Sequence, residues 1–74
     1  MALPDNYGYA WDSMTNRERR TALAGIVFDK DLTLYVSSRW IALPADVRAE
    51  LIRDAETTLE AKLRVARAAK WRPQ

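Results

Sequence analysis

Apolar residues recur at helical spacing over most of the chain, and turn-forming residues divide it into four stretches. The clearest start signal is Thr15-Asn16-Arg17-Glu18. It fits the capping box, in which hydroxyl and carboxylate satisfy each other's backbone donors, so a helix is predicted to begin near Thr15. Ala22, Leu23, Ile26 and Val27 then fall on one side of it. Gly25 lies inside this pattern and reads as a tolerated helix glycine, at a cost of about 1 kcal/mol relative to Ala. Its other reading is close approach by another element.

Asp29-Lys30-Asp31 is a short polar break. Beyond it, Leu32, Leu34 and Val36 alternate as in a strand, while Leu32, Tyr35, Val36 and Trp40 recur as in a helix. A strand here would have only Tyr7-Gly8-Tyr9-Ala10-Trp11 as a local pairing edge. The expectation is a short helix with Asp31 as N-cap. The alternative is an α+β fold with a short strand near residues 32–37.

Pro44 suits the first position of a helix, and Asp46 favours its positive N-terminus. Leucines and alanines then continue without glycine or proline until Pro73, so a single long helix is predicted over about 44–71. Its stripe runs through Ile52, Ala55, Leu59, Leu63, Ala66 and Ala69, flanked by Val47, Leu51 and Val65. Lys62 interrupts a strict heptad seam. Residues 1–13, with Pro4, Asp5, Asn6 and Gly8, read as an irregular aromatic-rich arm. Tyr7, Tyr9 and Trp11 alternate along it, as on one face of an extended segment. The predicted fold is therefore all-α: an arm at 1–13, then one small domain of two to three helices at 14–74.

Length sharpens this picture. A helix over 44–71 would run ~42 Å. A compact chain of 74 residues has a radius of gyration near ~11 Å and a diameter on the order of 30 Å. The last helix is therefore expected to overhang its own globule. The apolar side chains on the overhang, including Leu63, Val65, Ala66 and Trp71, would need a partner.

Composition narrows the chemistry. The chain has neither cysteine nor histidine. That removes disulfides, thiol chemistry, Cys/His zinc sites and histidine-activated serines, so Ser13, Ser37 and Ser38 are not nucleophile candidates. A metal site would need carboxylates alone, and no EF-hand-like loop is present. Glu56 with Glu60, and Glu50 with Asp54, share helical faces beside Arg48, Arg53 and Lys62, which reads as a solvated charged face. Gly8 and Gly25, the only glycines, make no phosphate loop. No catalytic residue, cofactor or metal ligand is assigned. No apolar run approaches a membrane span, and the start has neither the basic nor the apolar region of a signal peptide. A cytoplasmic protein without membrane association is expected.

Charge adds direction. The net charge is only +2, but residues 44–60 carry −3 and residues 61–74 carry +5. Two readings follow. In the first, the chain is a small adaptor, regulator or inhibitor, of the kind phages and mobile elements use to block a host machine. It would bind a protein partner, a second copy of itself, or both. Leu63, Arg64, Arg67, Lys70 and Trp71 of the last helix would make the contact, with Tyr7 and Tyr9 of the arm. In an antiparallel dimer, each acidic half would lie beside a basic tail. In the second reading the chain binds DNA or RNA through Arg17, Arg19 and Arg20 with Lys62 and Arg72. The tail charges surround the helix instead of forming one strip, and no RNA-binding aromatic motif is present, which favours the first reading. Trp40 is expected in the core, Tyr35 half in it, and Tyr7, Tyr9 and Trp11 fold back as a lid or meet a partner.

Overall fold

The computed structural model describes residues 3–70, with side chains from Tyr7 onward. Among these residues the fold is all-α. It runs α1 (Leu3–Ser13), α2 (Asn16–Leu23), α3 (Asp29–Val36), a single 3-10 turn (Trp40–Ala42), α4 (Ala45–Thr57) and α5 (Leu59–Lys70). The radius of gyration is 11.1 Å and the extents are 33 × 25 × 20 Å, the size expected of a compact chain this long.

The segment read as an irregular arm is helix α1. Pro4 lies in its first turn, where the missing N–H has no helical partner to lose. Tyr7, Ala10, Trp11 and Met14 follow at helical spacing and all are buried. Their burial outweighs the intrinsic cost of Gly8. Gly8 is also the glycine that permits close approach: a Cβ there would lie 3.1 Å from Cδ1 of Trp40. Tyr7 and Trp11 are thus core residues rather than a lid. Trp40, half-buried, packs beside them, with ring centroids 4.8 Å from Tyr7 and 6.3 Å from Trp11.

The capping box forms as expected. Glu18 N–H donates to Thr15 Oγ1 at 3.2 Å, and Thr15 N–H donates to Glu18 Oε1 at 2.9 Å. The helix stops at Leu23, however, and does not run through Val27. Gly25 adopts φ +85°, a left-handed conformation that ends the helix, with nothing within 4 Å of where a Cβ would sit. Neither earlier reading of this glycine holds; its role is conformational. Ile26 and Val27 still pack on the core from the turn that follows.

Residues 32–36 are helical, not a strand, and Ser37 caps the helix. Leu32 and Val36, four apart, are buried, while Leu34 between them is 62% exposed. A strand would have put all three on one face. The helix begins two residues before the expected cap, so that Asp29 and Asp31 both sit in its first turn. Ser37 and Ser38 hydroxyls both donate to the Leu34 carbonyl and close its end.

The predicted long helix is two helices. Thr58 is extended (φ −113°, ψ 121°) and separates α4 from α5. No glycine or proline marks the break. Instead, side-chain hydroxyls compete with the helix: Thr57 Oγ1 donates to the Arg53 carbonyl at 2.9 Å and Thr58 Oγ1 to Asp54 Oδ1 at 3.0 Å. The Thr58 N–H still closes α4 on Asp54, and its carbonyl accepts the Lys62 N–H that opens α5. A continuous helix over these residues would run ~39 Å, longer than the molecule's 33 Å axis. The overhang inferred from a straight rod therefore does not exist. The chain bends at Thr58, and α5 packs on α1 and, less extensively, on α4.

Candidate functional site

The bend changes which face of α5 is inside. Ala61, Val65 and Ala68 are buried, and Ala69 is partly so. Leu59 is 70% exposed, Leu63 is 53% exposed and Ala66 is exposed. At about 100° per residue the buried set and the exposed set lie on opposite sides of one helix. The stripe traced through Leu59, Leu63 and Ala66 is thus the outer face, while a second apolar set at i, i+4 and i+7 makes the inner one.

Side-chain size explains the choice. Helix α1 brings Tyr7 and Trp11 to the core, the two largest side chains with almost no exposure. The distance between packed helices is set by the side chains at their contact. Alanines on α5 leave room for large aromatics on α1; leucines there would not. This was readable in the sequence as two apolar stripes on one helix, but only once α1 was recognised as the helix that α5 must meet.

The outer face is framed by charge. Glu60 and Arg67 lie on one flank, Lys62 on the other, and Lys70 continues the stripe at its C-terminal end. Leu63, Ala66, Arg67 and Lys70 line an open depression of about 670 Å³. Of the residues expected to meet a partner, the structure brings Leu63, Arg67 and Lys70 together here. Arg64 is half-buried on the side of Glu60 and Arg67. With them and with Arg17, Glu18 and Thr21 of α2 it lines a smaller depression, of about 260 Å³ and mixed charge. Tyr9 is 54% exposed on α1, whereas Tyr7 is 2% exposed and leaves the contact set. Trp71 and Arg72 lie outside the described residues.

The arginines considered for nucleic acid separate in the same way. Arg17 and Arg20 are exposed, as is Lys62. Arg19 is not available to a phosphate. Its Nε donates to the Trp11 carbonyl at 3.0 Å, Nη1 to Val36 at 2.9 Å and Nη2 to Asp12 at 3.3 Å. Its guanidinium also lies 5.3 Å from the Trp11 ring centroid. Trp11 Nε1 donates to the Ser38 carbonyl at 2.8 Å, and Asp12 Oδ1 accepts from Trp40 N–H at 3.0 Å. Arg19 is thus a structural residue that ties the C-terminal ends of α1 and α3 together.

Burial pushes the Tyr7 phenol well above its ordinary range; nearby Arg64 opposes this and Asp54 adds to it. Such a phenol stays protonated near neutrality. Among the described residues no group of three or more acids could hold a metal ion, and no helix is long and apolar enough to cross a membrane. No family model, curated protein or solved structure matches the chain.

Proposed function

We propose that this protein is a non-enzymatic interaction module that binds a protein partner through the outer face of α5. It would act as an adaptor, regulator or inhibitor, by occupying a surface. The observation that carries this reading is the double-sided apolar character of α5. Its inner face of Ala61, Val65 and Ala68 already serves the core, so Leu59 and Leu63 contribute nothing to it. Full burial of a leucine is worth about 1.5–3 kcal/mol, so covering these two supplies a useful but incomplete part of a binding energy. Arg67 and Lys70 beside them add the charged rim that orients a partner.

Site-specific photocrosslinking in cells tests the reading. A photoreactive side chain at Leu63 is expected to give discrete protein adducts, and one at exposed Ala49 on α4 is not. Equal yields at the two positions, or none at Leu63, would refute it.

A further inference from the structure

We infer that the occupant of the α5 outer face is a second copy of this chain, docked antiparallel about a twofold axis that passes between Leu63 and Arg64. The inference rests on the preceding reading of α5 as the binding surface and names its partner.

A twofold interface must be complementary to itself: if residue i meets residue j, then j meets i. The outer face of α5 has this property, for both of its flanking charges, when two copies run antiparallel. Glu60 and Arg67 are seven residues apart, so they lie within about 20° of each other around the helix and about 10 Å apart along it. Both are on the same flank of the Leu59-Leu63-Ala66 stripe. Antiparallel docking about their midpoint sets Glu60 of each copy against Arg67 of the other. Leu63 then sits next to the axis and meets its own counterpart. Leu59 falls between Ala66 and Lys70 of the other copy, over the lysine's aliphatic stem. Parallel docking instead sets the flank of Glu60 and Arg67 against the Lys62 flank of the other copy, so that Glu60 can meet Lys62 but Arg67 gains no acid, and the two Lys70 side chains of the stripe face each other.

The helix dipole explains why an acid stands in the first turn of α5 and bases in the last. It is indifferent to flank, and the shared flank of Glu60 and Arg67 is what a second copy requires. Size points the same way. A chain of 74 residues without cysteine belongs to the class in which association commonly supplements a small core. One face of α5, about 18 Å long, offers less than the roughly 800 Å² per partner of a standard interface. Association in the micromolar to millimolar range is therefore expected.

Sedimentation equilibrium of the full chain at low salt, from about 10 µM to about 1 mM, tests this directly. The expected result is a mass rising from 8.5 kDa toward twice that value. Leu63→Glu, which puts like charges at the axis, is expected to weaken association about thirtyfold or more. Glu60→Arg and Arg67→Glu are each expected to weaken it several-fold, and the double swap E60R/R67E to restore it. All three positions are solvent-exposed, and far-UV circular dichroism checks that each variant is folded. A monomer at every concentration, or a double swap no better than the single variants, overturns the inference. If the monomer still forms Leu63 crosslinks to a different protein, the binding reading stands and only the second copy is wrong.

Discussion

The first and last helices pack against each other but spend their side chains in opposite ways. Helix α1 turns its largest residues inward, with Trp11 at 0% and Tyr7 at 2% exposure. Helix α5 turns its smallest inward and leaves Leu59 and Leu63 in solvent. Bulk on one helix requires smallness on the other, because the spacing between packed helices is limited. The segment read as an irregular aromatic arm is therefore largely core, and the stripe through Leu59, Leu63 and Ala66 is surface without the overhang that was to carry it there. A hydrophobic residue's size does not tell which way it faces; the residue it must accommodate does.

Substitutions at four positions probe this contrast. The largest effect is expected for Trp11→Ala. It empties the centre of α1, removes the bond to the Ser38 carbonyl and strips the ring from beneath Arg19. A loss of about 3–5 kcal/mol matches the whole stability such a small domain commonly has, so the variant is expected to lack a cooperative thermal transition by circular dichroism. Ala68→Leu tests the other partner of the pair. Overpacking the inner face of α5 is expected to cost about 1–3 kcal/mol, read as a lower urea midpoint. Were it neutral, α5 would not be held close to α1.

The third effect depends on pH. Burial raises the pKa of the native Tyr7 phenol above that of an unfolded tyrosine, about 10. The stabilisation is therefore fully present below that unfolded value and is lost as pH rises beyond it. Urea titrations at a series of alkaline pH values are expected to show a shallower decline for Tyr7→Phe than for the natural chain. The smallest effect on folding is expected for Leu63→Glu, within about 0.5 kcal/mol at concentrations where the chain is monomeric. A larger loss would mean that the outer face serves the fold after all.

What could be read in advance was whatever depended on neighbours in sequence. The α2 start was legible because Thr15 and Glu18 complete each other's hydrogen bonds locally. The α4 start near Pro44 and Asp46 was legible for a similar reason, with Pro44 the N-cap instead of the first helical residue. A helix beyond Asp31 was favoured over a strand by the spacing of Leu32, Tyr35, Val36 and Trp40, and the exposed Leu34 shows that the strand alternation did not form. The failures lie where distant contacts decide. Helix α1 contains the turn formers Pro4 and Gly8 and is stabilised by burying Tyr7, Ala10, Trp11 and Met14, whose helical spacing was obscured by the alternation of Tyr7, Tyr9 and Trp11. The break at Thr58 uses hydroxyl hydrogen bonds that threonine can make or forgo. Leu63, Arg67 and Lys70 were singled out from the sequence, but through an overhang that is absent; their exposure comes from the alanine face behind them.

Arg19 carries a consequence for how the domain comes apart. Its guanidinium can bridge the Trp11, Asp12 and Val36 carbonyls only while these stay together. Those carbonyls belong to the last turns of two helices that are not adjacent in the chain. Fraying of either end thus gives up hydrogen bonds at the other, which links the order of the two helix ends. Backbone amides in the last turn of α1 and in α3 are accordingly expected to be coupled in hydrogen exchange, with Arg19→Ala loosening both. One side chain on α2 thereby adds a polar tie between two helix ends to the apolar core they share.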